Sequence, residues 1–131
     1  MDRKELMALF NKQPRLGTLS TANKLGDVNV AVFGSPRMVD EDTIVMGIGN
    51  NRSFRNLERN PKAAFIVMEP GKTPSDWKGA RVYLEAVDME TGGPFYEDIK
   101  HTIAKQWGQE TADRVHAAIR FKITEVRPII D

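Results

Sequence analysis

The chain has 131 residues, of which 40% are hydrophobic and 28% are charged, and its formal net charge is +1. This length predicts one domain, residues 1–131, large enough to bury a hydrophobic core. The near-neutral charge argues against nucleic acid or an anionic membrane surface as a partner, and the absence of cysteine excludes disulfides, thiolate metal sites and cysteine nucleophiles.

The first residues, Met1 to Glu5, lack the pattern of a signal peptide. No apolar stretch approaches the roughly 20 residues that a membrane-spanning helix needs. Together with the lack of cysteine, these features predict a cytoplasmic protein.

The first half of the chain is predicted to form a helix and four strands. A helix over residues 3–12 is indicated by Asp2 and Glu5, which are spaced as in a capping box. A short helix beginning at Ser53 is predicted between the third and fourth strands. Alternating, β-branched segments bounded by turn residues predict strands at 16–22, 28–34, 43–48 and 63–68.

The second half is predicted to form a long strand, two helices and a last strand. The strand covers residues 80–89, the helices residues 94–107 and 110–118, and the last strand residues 119–130. Because few helices separate the strands, we expect a mainly β fold in which six antiparallel strands close into a small barrel. The first of these helices carries an apolar stripe, expected to be largely buried, at Phe95, Ile99, Ile103 and Trp107.

The strand at 28–34 has two different faces. Val28, Val30 and Val32 point one way and are expected to face the core. The opposite face pairs Asn29 with Ala31, which would let a planar ligand approach the backbone. An ordinary half-buried strand also explains this pattern, and on this strand alone it is the simpler explanation.

A second candidate segment runs from Gly47 to Asn56. Gly47 and Gly49 would let the backbone approach a ligand, and Ser53 is placed as the N-cap of a helix. Arg52 and Arg55 add positive charge at that helix start, where phosphate binds readily. A solvated basic turn with an ordinary cap is the alternative, since neither the Walker loop nor the dinucleotide fingerprint is present.

The remaining polar residues predict no catalytic group and no metal site. His101 and His116 lie on predicted helices without a neighbouring set of acidic ligands, so surface or packing roles are expected. Asp88 and Glu90 fit a solvated strand end. Trp77 and Trp107 could stack on an aromatic ligand, although core packing is favoured for Trp107.

These segments resemble the pyridoxamine 5′-phosphate oxidase-like flavin-binding split barrels. The similarity covers most of the chain and includes the strands at 16–21 and 28–33. Its most specific part is Arg52-Ser53, followed by Asn56-Leu57 and Asn60-Pro61.

The resemblance implies a six-stranded antiparallel split β-barrel that forms a homodimer, with FMN at the subunit interface. It implies that the flavin ring lies on the strand at 28–32, that the glycine turn follows its other side and the ribityl chain, and that a basic and a hydroxyl residue hold the phosphate. The corresponding residues are Asn29, Val30, Ala31 and Val32 for the ring, Gly47, Ile48, Gly49 and Asn50 for the turn, and Arg52 and Ser53 for the phosphate.

The resemblance has limits that bear on function. The basic motifs with which true pyridoxamine phosphate oxidases bind FMN and substrate are not recognisable, so that activity is not expected. Arg52 stands where Lys is commoner. The leading hypothesis is an FMN-dependent oxidoreductase that reacts with a small molecule. The alternatives are a flavin-binding electron carrier, a relative that binds a deazaflavin or haem, and a sheet module that binds partners without a cofactor.

Overall fold

One curved antiparallel sheet of seven strands forms the frame of the protein, seen in a computed structural model that describes residues 1–131. The strands are β1 (Leu16–Ala22), β2 (Val28–Val32), β3 (Arg37–Asp40), β4 (Thr43–Ile48), β5 (Lys62–Glu69), β6 (Lys78–Glu90) and β7 (Ala117–Pro128). The helices are α1 (Arg3–Phe10), α2 (Arg52–Arg59), α3 (Pro94–Trp107) and α4 (Gln109–Asp113), with a 3₁₀ turn at Pro74–Asp76. None of the helices has the length and apolar character needed to cross a membrane.

The sheet closes on itself and leaves a split. Its strand order is β2-β1-β5-β6-β7-β4-β3, so β2 and β4 are five places apart, which in a flat sheet would separate them by roughly 24 Å. Yet Ser35, just after β2, donates a hydrogen bond from Oγ to the carbonyl oxygen of Gly47 in β4 at 2.8 Å. The two ends of the sheet therefore meet, as in a split barrel.

The mainly β fold is confirmed, with one strand more than the six expected. The additional strand is β3, which pairs with β4 through a bulge near Asp40. Only Met38 and Val39 are apolar in this short strand, so alternation in the sequence does not reveal it. The side chain of Asn11, at the end of α1, stabilises β3 by bonding both the backbone N–H and the carbonyl oxygen of Met38 at 2.8 Å.

The barrel interior is filled by large apolar side chains, and α1 closes one end of it. Leu6 and Phe10 of α1 are fully buried in the same cluster as Phe65 and Phe121. Arg15 lies over the rings of Phe10 and Phe65 and donates to the carbonyl oxygens of Phe10, Phe33 and Pro36. Burial lowers the pKa of this guanidinium. Arg15 thus anchors the segment that follows β2.

A smaller apolar cluster lies under α3, outside the barrel. Ile99 and Ile103 are buried there, in a cluster with Val45 and Ala118 of the sheet. The expectation of a buried stripe is therefore right for the middle of the helix but wrong for its end, because Trp107 is 39% exposed. Trp107 is the last residue of α3 and lies beyond the strands that cover the middle.

We expect Ile103→Ala to lower the free energy of unfolding by about 2–5 kcal/mol, because it removes buried methyl groups and leaves a cavity beneath α3. Urea denaturation of the variant and the wild-type protein measures this change. His101→Ala, at an exposed position of the same helix, is the matched control and should leave the midpoint nearly unchanged. Equal midpoints for Ile103→Ala and wild type would show that α3 does not depend on this contact.

Candidate functional site

The turn between β4 and α2 is capped by a residue other than the one expected. Asn51 has extended backbone angles, and its side-chain oxygen accepts a hydrogen bond from the N–H of Phe54 at 3.0 Å. The prediction of Ser53 as N-cap is therefore wrong. Ser53 lies within the first turn of the helix and is 2% exposed. Asn51 takes the cap because its backbone is extended, as an N-cap requires.

The Ser53 side chain instead accepts a hydrogen bond from β2. Asn29 Nδ2 donates to Ser53 Oγ at 3.1 Å, so the first turn of α2 is held against the strand that the sequence assigned to the ring. One turn further, Asn56 Nδ2 donates to Thr21 Oγ1 of β1 at 3.0 Å, and both residues are buried. These two amide–hydroxyl bonds fix the position of α2 against the hairpin of β1 and β2.

The start of α2 is chemically suited to an anion. The N–H groups of Arg52 and Ser53 belong to the first turn and have no intrahelical acceptor. The Arg52 side chain is exposed and forms neither an ion pair nor a hydrogen bond within the chain. Since a hydroxyl that accepts from Asn29 still has its own hydrogen to donate, Ser53 can contribute a donor as well. Charge, helix dipole and free donors therefore coincide here.

The valine face of β2 points outward, contrary to expectation. Val28, Val30 and Val32 are 81%, 63% and 78% exposed, whereas Asn29 and Ala31 are half-buried. The face assignment is wrong because α2 packs on the side of Asn29, and nothing in the chain covers the opposite side. The strand keeps the predicted two-residue alternation but presents an apolar row to solvent.

A shallow groove lies along this outer surface. It has a volume of about 670 Å³ and is formed by β1, β2, β5 and Tyr83 of β6. Val28, Val30 and Asn29 line it together with small residues of the neighbouring strands. Two of the residues that the resemblance assigned to the ring, Asn29 and Val30, therefore border this groove.

A second cleft lies at the other end of β2, in the split of the barrel. It also measures about 670 Å³ and includes Val32, Gly47, Ile48 and Gly49 of the predicted set. Asn50 is exposed beside it, and its carbonyl oxygen accepts from Arg55 at 3.4 Å. The structure thus brings residues from β2 and from the end of β4 to one cleft, although these strands are far apart in the sheet order.

The outer wall of this cleft comes from residues outside the predicted flavin set, although Trp107 was considered as a residue that could stack on an aromatic ligand. Helices α3 and α4 contribute Trp107 and Thr111, and Arg114 and Val115 follow α4. No local pattern in the sequence joins these positions, because the break at Gly108 separates Trp107 from Thr111, and Arg114 lies beyond the end of α4.

Gly47 has a packing role that the sequence did not indicate. A Cβ atom at this position would lie 2.6 Å from Cδ1 of Ile103 and 3.2 Å from atoms of Ile99 and Val115. The side of Gly47 on which a side chain would stand is thus filled by α3. A ligand in the cleft can therefore contact only the backbone atoms of Gly47.

His116 packs against an aromatic ring and does not belong to a cluster of polar groups. Its ring meets that of Phe54 edge-on, with the centroids 4.9 Å apart, and the backbone N–H of His116 donates to the carbonyl oxygen of Ile48 at 2.8 Å. His101 is exposed on α3. The structure contains no group of three or more His, Asp or Glu side chains that could hold a metal ion.

Comparison with known families gives a match over nearly the whole chain. Residues 3–129 match the family model described as pyridoxamine 5′-phosphate oxidase. No curated protein sequence matches the chain.

Solved structures with the same fold include proteins whose names mention different cofactors. An FMN-binding protein from Syntrophomonas wolfei is 25% identical, with a TM-score of 0.83 over 96% of this chain and 84% of that chain. The haem storage protein HutZ from Vibrio cholerae is 18% identical, with a TM-score of 0.68 over 100% of this chain and 93% of that one. An F420 reductase is 18% identical, with a TM-score of 0.69 over 91% of this chain and 93% of that one.

We expect Gly47→Ala to destabilise the protein by about 1–3 kcal/mol, because the new methyl group would overlap the end of Ile103. Ile103→Val removes Cδ1, so the double variant should lose less stability than the sum of the two single changes. Denaturation midpoints of the four proteins test this coupling. Strict additivity of the two changes would show that Gly47 is not required for the approach of α3.

Proposed function

The chain belongs to the pyridoxamine 5′-phosphate oxidase family, and from that premise we propose that it binds FMN and acts as a flavin-dependent oxidoreductase. The observation that carries the proposal is the start of α2, where an unpaired Arg52 and a buried Ser53 flank free backbone donors. A phosphate monoester fits this combination of charge and donors. The FMN-binding protein of S. wolfei, at 25% identity, supports the same choice of ligand.

Different residues of the chain would bind different parts of FMN. Arg52 and Ser53 bind the phosphate. Backbone groups of β2 on its unpaired edge are available to the polar rim of the ring, because β2 is an outer strand of the sheet. The turn from Gly47 to Asn50 orients the ribityl chain. When bound, FMN supplies the electron and hydride chemistry, and the protein supplies position and exclusion of water.

The cleft beside β4 favours an enzyme over an electron carrier. A carrier needs only an exposed edge of its cofactor, whereas an enzyme needs room for a second molecule. The cleft in the split has about 670 Å³ and combines apolar walls with a few polar groups, which is typical of small-molecule sites.

FMN is proposed in preference to haem or a deazaflavin for two reasons. The structures named for haem storage and F420 are both 18% identical, and at that level they share the fold alone. Histidine is one of the usual axial ligands of haem, and neither histidine lines the cleft in the split or the groove on the outer face of β2. The absorption spectrum of the purified protein separates the three cofactors, and a colourless protein that takes up no flavin would contradict the proposal.

We also propose that the protein is a homodimer with FMN at the interface. The exposed valines of β2 form an apolar row that the chain itself leaves uncovered. A second copy on this face would bury them and would deepen the groove over β1 and β5. Two identical subunits meeting through the same strand form a closed, isologous pair.

Arg52→Ala should weaken FMN binding by about 10- to 150-fold, because it removes charge-assisted hydrogen bonds worth roughly 1.5–3 kcal/mol. Riboflavin, which lacks the phosphate, should bind the variant and the wild type about equally. Titration of flavin fluorescence at two salt concentrations measures both effects, and added salt should weaken FMN binding more in the wild type.

Two further variants define the phosphate site. Arg59→Ala removes the same charge from the opposite end of α2 and should leave FMN affinity close to that of the wild type. Ser53→Ala should cause a smaller loss than Arg52→Ala, and its Asn29 partner would lose an acceptor. If Arg52→Ala and Arg59→Ala reduce FMN affinity equally, the phosphate is not held at the start of α2.

Val30→Asp should convert the dimer to a monomer, since it places a charge in the middle of the apolar row on β2. Sedimentation equilibrium of the flavin-loaded protein gives the mass of each form. Val87→Asp, at another exposed valine in β6, is the control and should remain dimeric. A wild-type protein that sediments as a flavin-loaded monomer would refute the proposed assembly.

A further inference from the structure

The exposed face of α2 carries three arginines in a row. Arg52, Arg55 and Arg59 are spaced three and four residues apart, so their side chains leave the same side of the helix, within about 60° of one another. All three are exposed, and the buried residues of the helix lie on the other side. The three side chains form an arginine ridge about 10 Å long, which is the distance that seven residues of helix cover.

No negative charge of the chain neutralises this ridge. None of the ion pairs in the structure includes a residue of α2. Glu58 is the one acidic residue of the helix, and it pairs with none of the arginines. The three guanidinium groups make a single hydrogen bond, the 3.4 Å contact from Arg55 to the carbonyl oxygen of Asn50. Because the chain as a whole has a net charge of only +1, the ridge is a local concentration of positive charge.

The ridge is unfavourable for the helix that carries it. The first four residues of α2 include Arg52 and Arg55 and no acidic residue, although the helix dipole favours acidic side chains at this end. Arg55 and Arg59 are four residues apart and repel each other. By contrast, α1 and α3 each have a glutamate in the first turn. Charges that oppose helix formation and find no partner within the chain indicate a partner outside it.

The ridge is presented on a fixed, convex surface. Hydrogen bonds from Asn29 to Ser53 and from Asn56 to Thr21 hold α2 against the hairpin of β1 and β2. None of the three arginines lines the cleft in the split or the groove on the outer face of β2. Small ligands bind in concave sites that surround them, so a ridge of this kind suits the surface of a macromolecule.

We propose that the arginine ridge is a docking surface for an acidic segment of a partner protein, with Arg55 and Arg59 as its main contacts. Guanidinium groups bind carboxylates through paired hydrogen bonds. The two arginines are about 6 Å apart along the helix axis, and alternate residues of an extended segment are about 6.6 Å apart. Acidic residues two apart in the partner can therefore contact both arginines. This surface does not depend on which cofactor the protein binds.

A nucleic acid matches the ridge less well than an acidic protein. The sequence pI is about 8.0, whereas nucleic-acid-binding domains have a pI above about 9. Proteins that hold single strands also offer aromatic side chains on which the bases stack. The aromatic residue of α2, Phe54, is buried on the opposite side of the helix. The ridge thus has the charge for an anion but no platform for a base.

The test uses the protein as purified and a blocked octapeptide of alternating aspartate and serine. The matched control peptide has asparagine in place of aspartate. In an NMR titration, the acidic peptide should shift the backbone signals of residues 52–59, and the control peptide should leave them unchanged. Arg55→Gln and Arg59→Gln should weaken binding about 3-fold each and about 10-fold together, as expected for exposed ion pairs. Added salt should weaken binding to the wild type more than to the double variant.

Two controls separate docking from general charge and from folding. Lys4→Gln combined with Lys72→Gln removes the same net charge from exposed positions on α1 and after β5, and should leave the affinity for the acidic peptide unchanged. Because Arg55 and Arg59 oppose the helix, their double variant should unfold at the same urea concentration as the wild type or at a higher one. A lower midpoint would show that the arginines stabilise the fold, and would contradict the proposal.

Three other results would overturn this docking surface. In the first, the two arginine substitutions leave peptide affinity unchanged. In the second, the peptide shifts signals on other elements and not those of α2. In the third, an oligothymidylate of eight nucleotides binds more tightly than the acidic peptide and loses affinity in the same variants, which would assign the ridge to nucleic acid. Wild-type protein that binds no FMN would refute the proposed flavin function and leave this test intact.

Discussion

The hydrogen bond from Asn29 to Ser53 is the contact on which the geometry of the candidate site depends. It joins β2, one outer strand of the sheet, to the first turn of α2, which follows the strand near the other end of the sheet order. Without such closure, the residues assigned to a ring and those assigned to a phosphate would lie on separate parts of a curved surface. With it, Asn29 of β2 lies directly against the first turn of α2, while Val32 at the end of the same strand lines the cleft in the split. The bond between Ser35 and the carbonyl oxygen of Gly47 makes the same connection at the other end of β2.

The position of α3 determines the depth of the cleft. The helix packs closely on β4 because Gly47 has no side chain to hold it away from the strand. Ile99 and Ile103 bury the middle of the helix, and the break at Gly108 turns the following residues back over the split. Gly47, whose backbone is proposed to approach a ligand, thus also has a packing role, and α3 ends with Trp107 at the cleft.

The outer face of β2 is exposed and apolar, and the strand also has an unpaired backbone edge. The valines there are exposed, and Asn29 on the opposite face is committed to α2. An exposed apolar row costs free energy in water unless something covers it. The same strand also has one backbone edge without a partner in the sheet. Both features are compatible with a strand that contacts a second subunit and a cofactor, which is the arrangement proposed above.

The sequence by itself determined the fold class, the bounds of β1, β4 and α3, and the family. Those features depend on local patterns, namely two-residue alternation, helical spacing and a cap or break at each end, and the structure reproduces them. The motif from Arg52 to Pro61 was equally visible, since its residues are consecutive in the chain.

Only the tertiary structure decided which faces are covered. Asn51 and Ser53 are both good cap residues, and Asn51 is the N-cap because its backbone is extended. The valines of β2 and Trp107 are apolar, so their sequence pattern predicts burial, but no element of the chain packs over the valines and Trp107 is only partly covered. Burial is a property of what lies opposite a residue, and that partner is set by chain closure over long distances, which local patterns do not encode.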